Sequence, residues 1–172
     1  MDPMRAEFEI RQLHARYSHA IYRGDAASVA ELFADDGEWR VGGQIMRGKA
    51  EIVSFLGGVF PQFRRLLMLF YTPVVDIAED GEISSRAFVV ERSQFADGRP
   101  FAPVGIYFDR FAEVDGHLRF KWRLFQTQYS GLPDMATPFY DDLPDFGPPP
   151  GMPPLDEVTL DRSGVGGKAK GG

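Results

Sequence analysis

The sequence predicts a single α+β domain, in which N-terminal helices pack on an antiparallel sheet. Helical periodicity dominates residues 4–60, and four long β-type runs follow: RLLMLFYTPVVDI, ISSRAFVVERSQF, FAPVGIYFDRFAEV and HLRFKWRLFQTQYS. The runs are joined by EDGE, ADGR and VDGH, and an Asp-Gly pair between apolar runs is a strong hairpin signal. These three pairs predict a four-strand antiparallel meander.

The first predicted helix covers residues 4–23 and ends at Gly24, a residue that tolerates left-handed backbone geometry. Its apolar stripe, which we expect to face the core, contains Ile10, Leu13, Tyr17 and Ile21. His14 lies on the same stripe, whereas His19 lies on the opposite, solvent-facing side. His117 falls at a turn, so we expect His19 and His117 at the surface.

Two further helices are predicted in the N-terminal part. Asp25 stands where an N-cap would open a short helix over residues 26–34. The EWRV and QIM segments flank a Gly-Gly pair and predict a hairpin. A third helix is expected near 48–60, because Pro61 stops it. The predicted fold therefore has three N-terminal helices packed on the sheet.

Composition limits the classes of function. A length of 172 residues favours one domain, and a net charge of −6 argues against nucleic-acid or anionic-membrane partners. The chain has no Cys, and its charged N-terminus MDPMRAEFEIRQ has no apolar signal-peptide core. No apolar run approaches the roughly 18 residues of a membrane span. We expect a cytoplasmic protein without membrane or nucleic-acid partners.

A change in composition divides the chain near residue 131. Residues 1–131 form the predicted domain, and residues 132–172 form a Pro/Gly-rich extension with interleaved aromatic residues. Proline excludes a helix or a central strand there, so we expect the extension to lie over the domain or a neighbouring subunit. Both faces of the predicted strands are apolar, which favours a homodimer or homotrimer.

Two segments carry a resemblance to a known family. RYSHAIYRGDAASVAELFADDGEWRVGG resembles the opening of SnoaL-like members of the NTF2-like superfamily, and GIYFDRFAEVDGHLRFKWR is similar to their last hairpin. The resemblance covers about residues 5–130. It implies an NTF2-like (cystatin-like) cone with a curved sheet around a pocket. The superfamily includes cofactor-free dehydratases, lyases and isomerases as well as non-catalytic subunits.

The resemblance also implies an acid–base site. In many cofactor-free lyases of this group, an Asp after helix 1 pairs with a His on the first long strand. The corresponding residues here are Asp25 and Met68, so the pair lacks its base. Asp25 is therefore either a helix cap or the catalytic group, and both interpretations stand. His14 is either a buried core residue or a replacement for the missing base.

The remaining candidates have structural interpretations as well. Tyr17 is a packed aromatic or orients a substrate oxygen. Arg86 shares strand parity with Phe88, and the family alignment directs that face to the pocket, whereas an exposed Arg is the alternative. An inward Arg86 would need Asp25, Glu91, Asp109 or an anionic substrate group as a partner. The residues expected to line the pocket are Trp39, Met68, Phe88, Tyr107 and Arg123, the last two because they match the family pattern.

These observations predict a cofactor-independent lyase or isomerase that acts on a hydrophobic, aromatic small molecule by acid–base catalysis. Dehydration and retro-aldol C–C cleavage, such as formaldehyde release, both fit a site without the His base. The sequence has no phosphate-binding loop, and its 3 His residues lack metal-ligand spacing, so no metal and no cofactor are expected. The alternative is a non-catalytic small-molecule binder or a structural subunit like the β-subunits of ring-hydroxylating dioxygenases.

Overall fold

A computed structural model describes residues 1–134 and shows a mixed α+β architecture with three α-helices in this part of the chain. The helices are α1 (Pro3–Arg23), α2 (Ala26–Ala30) and α3 (Gly48–Val59), and a short 3-10 helix covers Phe60–Gln62. The strands are β1 (Phe33–Val41), β2 (Gln44–Arg47), β3 (Phe63–Arg65), β4 (Met68–Phe70), β5 (Val74–Ile77), β6 (Ile83–Glu91), β7 (Ser93–Phe95), β8 (Pro100–Phe101), β9 (Val104–Val114) and β10 (His117–Tyr129). The predicted extension lies, from residue 135, outside the described residues.

Helix α1 follows the sequence prediction closely. The Asp2 side chain accepts a hydrogen bond from the Arg5 backbone, and Gly24 ends the helix at φ 65° in the left-handed region. The predicted stripe is buried, with His14 among the buried residues, whereas His19 is exposed. No helix among residues 1–134 is both long enough and apolar enough to span a membrane.

Helix α2 is shorter than the predicted range of 26–34. It ends at Ala30, and Phe33 already belongs to β1, where it pairs with Phe120 of β10. The backbone N–H of Phe120 also donates to the Leu32 carbonyl at 2.9 Å. Pairing with the sheet therefore takes over the end of the segment that local propensity assigns to the helix.

The main sheet has seven strands in the order β2-β1-β10-β9-β6-β4, with β5 also paired to β6. All pairings are antiparallel except that between β1 and β10, which is parallel. The sheet is curved and antiparallel-rich, and α1 packs against β4 and β10. The sequence predicts the antiparallel pairs from local turns, but the parallel pair needs a long crossover that carries no local signal.

The predicted four-strand meander is wrong in its detail. The first predicted strand is divided into β3, β4 and β5, and Pro73, which has no N–H to donate, stands between β4 and β5. All three Asp-Gly pairs form turns, and Asp115 and Gly116 both have positive φ, as a tight hairpin requires. The Asp97–Gly98 turn, however, joins β7 and β8 in a separate sheet of order β3-β7-β8.

The outer face of the main sheet carries a second, small apolar cluster of Ile106, Phe108 and Leu124, with Trp122 packed against it. The guanidinium groups of Arg40 and Arg110 lie over the Trp122 ring at 5.5 and 5.4 Å. The larger cluster lies on the inner face, between the sheet and the helices. The inner face therefore holds the main core and the candidate site.

Gly105 on β9 allows a close approach within the inner face. A Cβ atom at this position would lie 2.4 Å from Phe125 Cε2 and 2.5 Å from the Gln126 carbonyl oxygen. Contacts this short are not tolerated, so the Phe125 ring occupies space that any larger residue at position 105 would need.

Candidate active site

An aromatic cavity of about 190 Å³ lies between the helices and the inner face of the sheet. Its wall comes from α1, β1, α3, β4, β6, β9 and β10, and includes Tyr17, Trp39, Phe55, Met68, Glu91, Tyr107 and Phe125. The lining residues Phe60, Phe63, Leu66 and Phe101 are partly exposed, so the cavity reaches the surface beside them. A cavity that is largely apolar with a few polar groups is the usual form of a small-molecule site.

Two tyrosines supply hydroxyl groups to this wall. The Tyr17 and Tyr107 hydroxyl oxygens are 3.2 Å apart, within hydrogen-bond distance, and both side chains are almost fully buried. Burial raises the pKa of Tyr17 well above its usual value and that of Tyr107 to about 12. Both phenols are therefore protonated near neutral pH and act as hydrogen-bond donors.

A buried charge cluster lies behind the tyrosines. His14 Nε2 is 2.9 Å from Asp109 Oδ2, and Arg123 Nε is 3.5 Å from Asp109 Oδ1. The Arg123 guanidinium carbon lies 4.2, 3.8 and 4.1 Å from the ring centroids of Tyr17, Tyr107 and Phe120. Asp109 therefore serves as the counter-ion of an arginine that is enclosed by aromatic faces.

His14 is held in a neutral-favouring environment. Burial lowers the pKa of His14, the hydrogen bond and charge of Asp109 oppose this effect, and the Arg123 charge adds to it. The ring stacks on Phe70 with centroids 4.6 Å apart, and Nδ1 has no hydrogen-bond partner in the described part of the chain. The imidazole therefore packs as a core aromatic that orients Asp109.

Glu91 is the ionisable carboxyl group of the cavity wall. It is half-buried at the end of β6, and burial raises its pKa to about 7. Within residues 1–134, no hydrogen bond or ion pair holds its carboxylate. A carboxyl group with a pKa near neutrality can both accept and donate a proton, as general acid–base catalysis requires.

The structure brings together five of the nine residues proposed from the sequence and puts His14 beside them. Tyr17, Trp39, Met68 and Tyr107 line the cavity, and Arg123 lies directly behind the two tyrosines. His14 reaches the same cluster through Asp109.

Asp25 lies away from this cavity. Its carboxylate accepts hydrogen bonds from the backbone N–H and the hydroxyl of Ser28 at 2.9 and 2.6 Å, and it pairs with Arg23 at 3.2 Å. The Ser28 hydrogen bonds in particular lower the pKa of Asp25. The predicted N-cap is confirmed, and the geometry does not direct this carboxylate at the cavity.

Arg86 and Phe88 correct the strand parity assigned to β6. Phe88 is 55% exposed, and Arg86 Nη1 binds Asp76 Oδ2 of β5 at 3.0 Å. Ser85, Ala87 and Val89 are buried on the opposite parity. The run RAFVV is apolar on both faces, so alternation alone did not identify the inner face.

The sequence analysis named Glu91 and Asp109 only as possible partners for Arg86 and gave neither a role in the site. Glu91 is the antiparallel partner of Met68, the position where the resemblance expects a His. Paired residues project from the same face of a sheet with Cβ atoms about 5 Å apart. A carboxyl group thus stands beside the position of the missing imidazole, a relation that appears only once the register is known.

No group of three or more His, Asp or Glu residues with the geometry of a metal site occurs among residues 1–134.

Several solved structures share this fold. A protein from Novosphingobium aromaticivorans, described provisionally as an aromatic ring hydroxylase, is 21% identical with a TM-score of 0.71, covering 76% of this chain and 95% of its own. A provisional scytalone dehydratase from the same organism is 21% identical with a TM-score of 0.67, covering 86% and 94%. The hexachlorocyclohexane dehydrochlorinase LinA-type3 from Novosphingobium barchaimii is 14% identical with a TM-score of 0.68, covering 74% and 90%.

At these identities the structural likeness establishes the fold. No curated protein matches the sequence. The model of the SnoaL-like domain matches residues 2–124, which is most of the chain and contains every residue of the cavity and of the charge cluster except Phe125. The chain belongs to the SnoaL-like domain family.

Proposed function

We propose that this protein is a cofactor-independent lyase or isomerase that acts on a hydrophobic small molecule, with Glu91 as its acid–base group. The observation that carries the proposal is a half-buried carboxyl group with a pKa of about 7 in the wall of an aromatic cavity. Family membership supports it, and the dehydratase and dehydrochlorinase among the similar structures are named for elimination reactions.

The first step is proton abstraction. Ionised Glu91 takes a proton from a carbon next to the substrate carbonyl, the C–H electron pair becomes the C=C bond of an enolate, and the carbonyl oxygen gains the negative charge. General base catalysis of this kind contributes about 10²–10⁴-fold to a rate. The apolar wall favours the step because it strengthens interactions with the developing charge.

The two tyrosines stabilise that oxyanion. One phenol donates to the other at 3.2 Å, and the second hydroxyl remains able to donate to the substrate oxygen. The Arg123 guanidinium packs on the faces of both rings, and its positive charge, which Asp109 balances, makes the two phenol hydroxyl groups stronger hydrogen-bond donors. Because Asp109 pairs with Arg123, the guanidinium is held in place before the substrate arrives.

The second step decides the reaction class. In a dehydration, protonated Glu91 donates to a β-hydroxyl group, which leaves as water and returns the carboxylate. In an isomerisation, the proton goes instead to a different carbon of the enolate. A retro-aldol cleavage replaces the first step instead of following it: ionised Glu91 takes the β-hydroxyl proton, the C–C electron pair becomes the enolate as an aldehyde such as formaldehyde leaves, and protonated Glu91 then returns the proton to the enolate carbon.

A simple test is the isomerisation of cyclohex-3-enone to cyclohex-2-enone, followed by the absorbance of the conjugated product. Glu91→Gln keeps the size of the side chain but removes the proton-transfer group, so we expect a loss of about 10²–10⁴-fold in kcat/KM. Asp25→Asn serves as the matched control, because Asn caps helices about as well as Asp. Equal rates for the wild type and Glu91→Gln would refute the role of Glu91.

Non-catalytic binding is the second candidate function, and it draws on a specific observation. Met68 supplies a thioether where the family places a base, and Asp25 is turned to the helix cap. A binder of this kind would retain aromatic ligands without accelerating any proton transfer from carbon.

We further propose that the chain forms a homodimer or homotrimer. Exposed apolar side chains on the outer sheet face support this assembly, Leu69 and Phe88 among them. Light scattering after size-exclusion chromatography gives the subunit number directly. Co-purification of a larger iron–sulfur chain would instead indicate a structural subunit of a hydroxylating complex.

A further inference from the structure

We infer that the cavity takes a neutral, single-ring compound with one hydrogen-bond acceptor, and that Trp39 Nε1 donates to this acceptor. The inference rests on the proposed function, because it defines the substrate class of the same cavity. It is argued from the size of the cavity, from its charge and from one unpartnered donor.

Size limits the ligand to one ring. The cavity has a volume of about 190 Å³, and a cavity of about 150 Å³ lined by apolar side chains holds benzene. The additional volume accommodates one or two small substituents. The wall is made largely of aromatic side chains, which favour stacked or edge-on contacts with a second aromatic ring.

Charge limits the ligand to neutral compounds. Among residues 1–134, no Lys, Arg or His lines the cavity, and Glu91 becomes negative as the pH rises through its pKa of about 7. The nearest cation, Arg123, lies behind Tyr17 and Tyr107 and pairs with Asp109. An anionic ligand would lose its hydration and gain no counter-ion.

Trp39 supplies a donor that lacks a partner. The side chain is 3% exposed, and Nε1 makes no hydrogen bond within the described part of the chain. The indole packs edge-on against Tyr17 and Phe55, with centroids 6.1 and 5.5 Å apart, so its orientation is fixed. An indole N–H is only a donor, and a buried one usually finds an acceptor. A carbonyl or hydroxyl oxygen of the ligand supplies it.

The test is calorimetric titration of the full chain with four unreactive probes: acetophenone, ethylbenzene, benzoate and 2-acetylnaphthalene. Acetophenone and ethylbenzene have similar shapes, but only the first has an acceptor. We expect acetophenone to bind, whereas benzoate and 2-acetylnaphthalene fail on charge and on size. In Trp39→Phe, acetophenone should lose about 2–12-fold in affinity relative to ethylbenzene, which is the range expected for the loss of one hydrogen bond.

Trp122→Phe is the matched control, since this outer-face indole lies over arginine side chains and does not line the cavity. A second measurement does not depend on the folding of Trp39→Phe. The chain has only 2 Trp residues, so ¹⁵N-labelled protein gives two indole N–H signals, and Trp122→Phe assigns them. Acetophenone should shift the Trp39 signal downfield, and ethylbenzene should not.

Four results would overturn the inference. If benzoate binds as tightly as acetophenone, the charge argument is wrong, and if 2-acetylnaphthalene does, the size argument is wrong. If the Trp39 signal does not move when acetophenone binds, Trp39 is not the donor. Absence of acetophenone binding refutes the substrate class as a whole. These experiments measure binding and not turnover. Failure of the isomerase assay would therefore contradict the proposed function without contradicting the ligand class, and failure of acetophenone binding would contradict the ligand class.

Discussion

The raised pKa of Glu91 predicts a defined pH dependence of stability. Its value rises from 4.5 to about 7 in the folded state because burial disfavours the carboxylate. A pKa difference of roughly 2.5 corresponds to about 3 kcal/mol of unfolding free energy. The folded state binds more protons than the unfolded state between these pH values, so the unfolding free energy falls as pH rises. The contribution of neutral Glu91 to the unfolding free energy is therefore complete below pH 4.5 and is lost as the pH rises through about 7.

Glu91→Gln isolates this contribution, because glutamine resembles the protonated acid at every pH. We expect the difference in unfolding free energy between Glu91→Gln and the wild type to increase by about 3 kcal/mol from pH 4 to pH 8. Urea titrations followed by tryptophan fluorescence measure this difference at each pH. Other titrating groups, including His14, are common to both proteins and cancel.

A difference that stays constant from pH 4 to pH 8 would refute the argument. It would show that Glu91 titrates in the folded state as it does in the unfolded chain. Proton transfer by Glu91 near neutral pH would then lose its physical basis, and the proposed function would lose its main support.

Three further predictions concern the charge cluster behind the cavity and the cap of α2. Asp109→Asn leaves Arg123 as a buried cation without a counter-ion, so we expect a loss of about 3–5 kcal/mol of unfolding free energy in urea titrations. His14→Gln should make the unfolding free energy fall less steeply at acid pH. Burial lowers the pKa of His14, so the neutral imidazole stabilises the fold above pH 6.5, and this contribution is lost as the pH falls through the lowered pKa. Asp25→Ala should lower the thermal midpoint through loss of the cap, whereas Asp25→Asn should not.

Each of these has an outcome that contradicts it. The control for Asp109→Asn is Asp76→Asn, which breaks the more exposed ion pair with Arg86 and should cost less than about 1 kcal/mol of unfolding free energy. If Asp109→Asn costs no more than this control, Asp109 does not stabilise a buried Arg123 charge. An unchanged acid limb in His14→Gln would mean that the imidazole is not held neutral. Loss of turnover in Asp25→Asn, with the thermal midpoint retained, would return catalysis to Asp25.

Features encoded within a few residues were predictable from the sequence. The cap at Asp25, the end of α1 at Gly24 and the three Asp-Gly turns are local, because each depends on the conformational preference or hydrogen bonding of neighbouring residues. The family resemblance added Tyr107 and Arg123 at positions that the structure places on the inner face.

Features that depend on register were not predictable. The partner of Met68 is Glu91, and a shift of one residue in the pairing of β6 would have put Arg86 or Phe88 on the inner face instead. His14 and Asp109 are separated by 95 residues, so nothing near either one marks their contact. The acid–base group of the cavity was therefore hidden in a strand whose two faces are both apolar.

The absence of a side chain at Gly105 has a consequence for the size of the cavity. Phe125, which lines the cavity, occupies space that a methyl group at position 105 would take, so a larger residue there would displace the ring. Position 105 neither donates nor accepts a proton through a side chain. The Gln126 backbone oxygen, 2.5 Å from the same Cβ position, cannot rotate away as a ring can, so position 105 is restricted to glycine and the place of the Phe125 ring is fixed by the backbone. The size of the cavity beside this ring is therefore set independently of the proton-transfer groups.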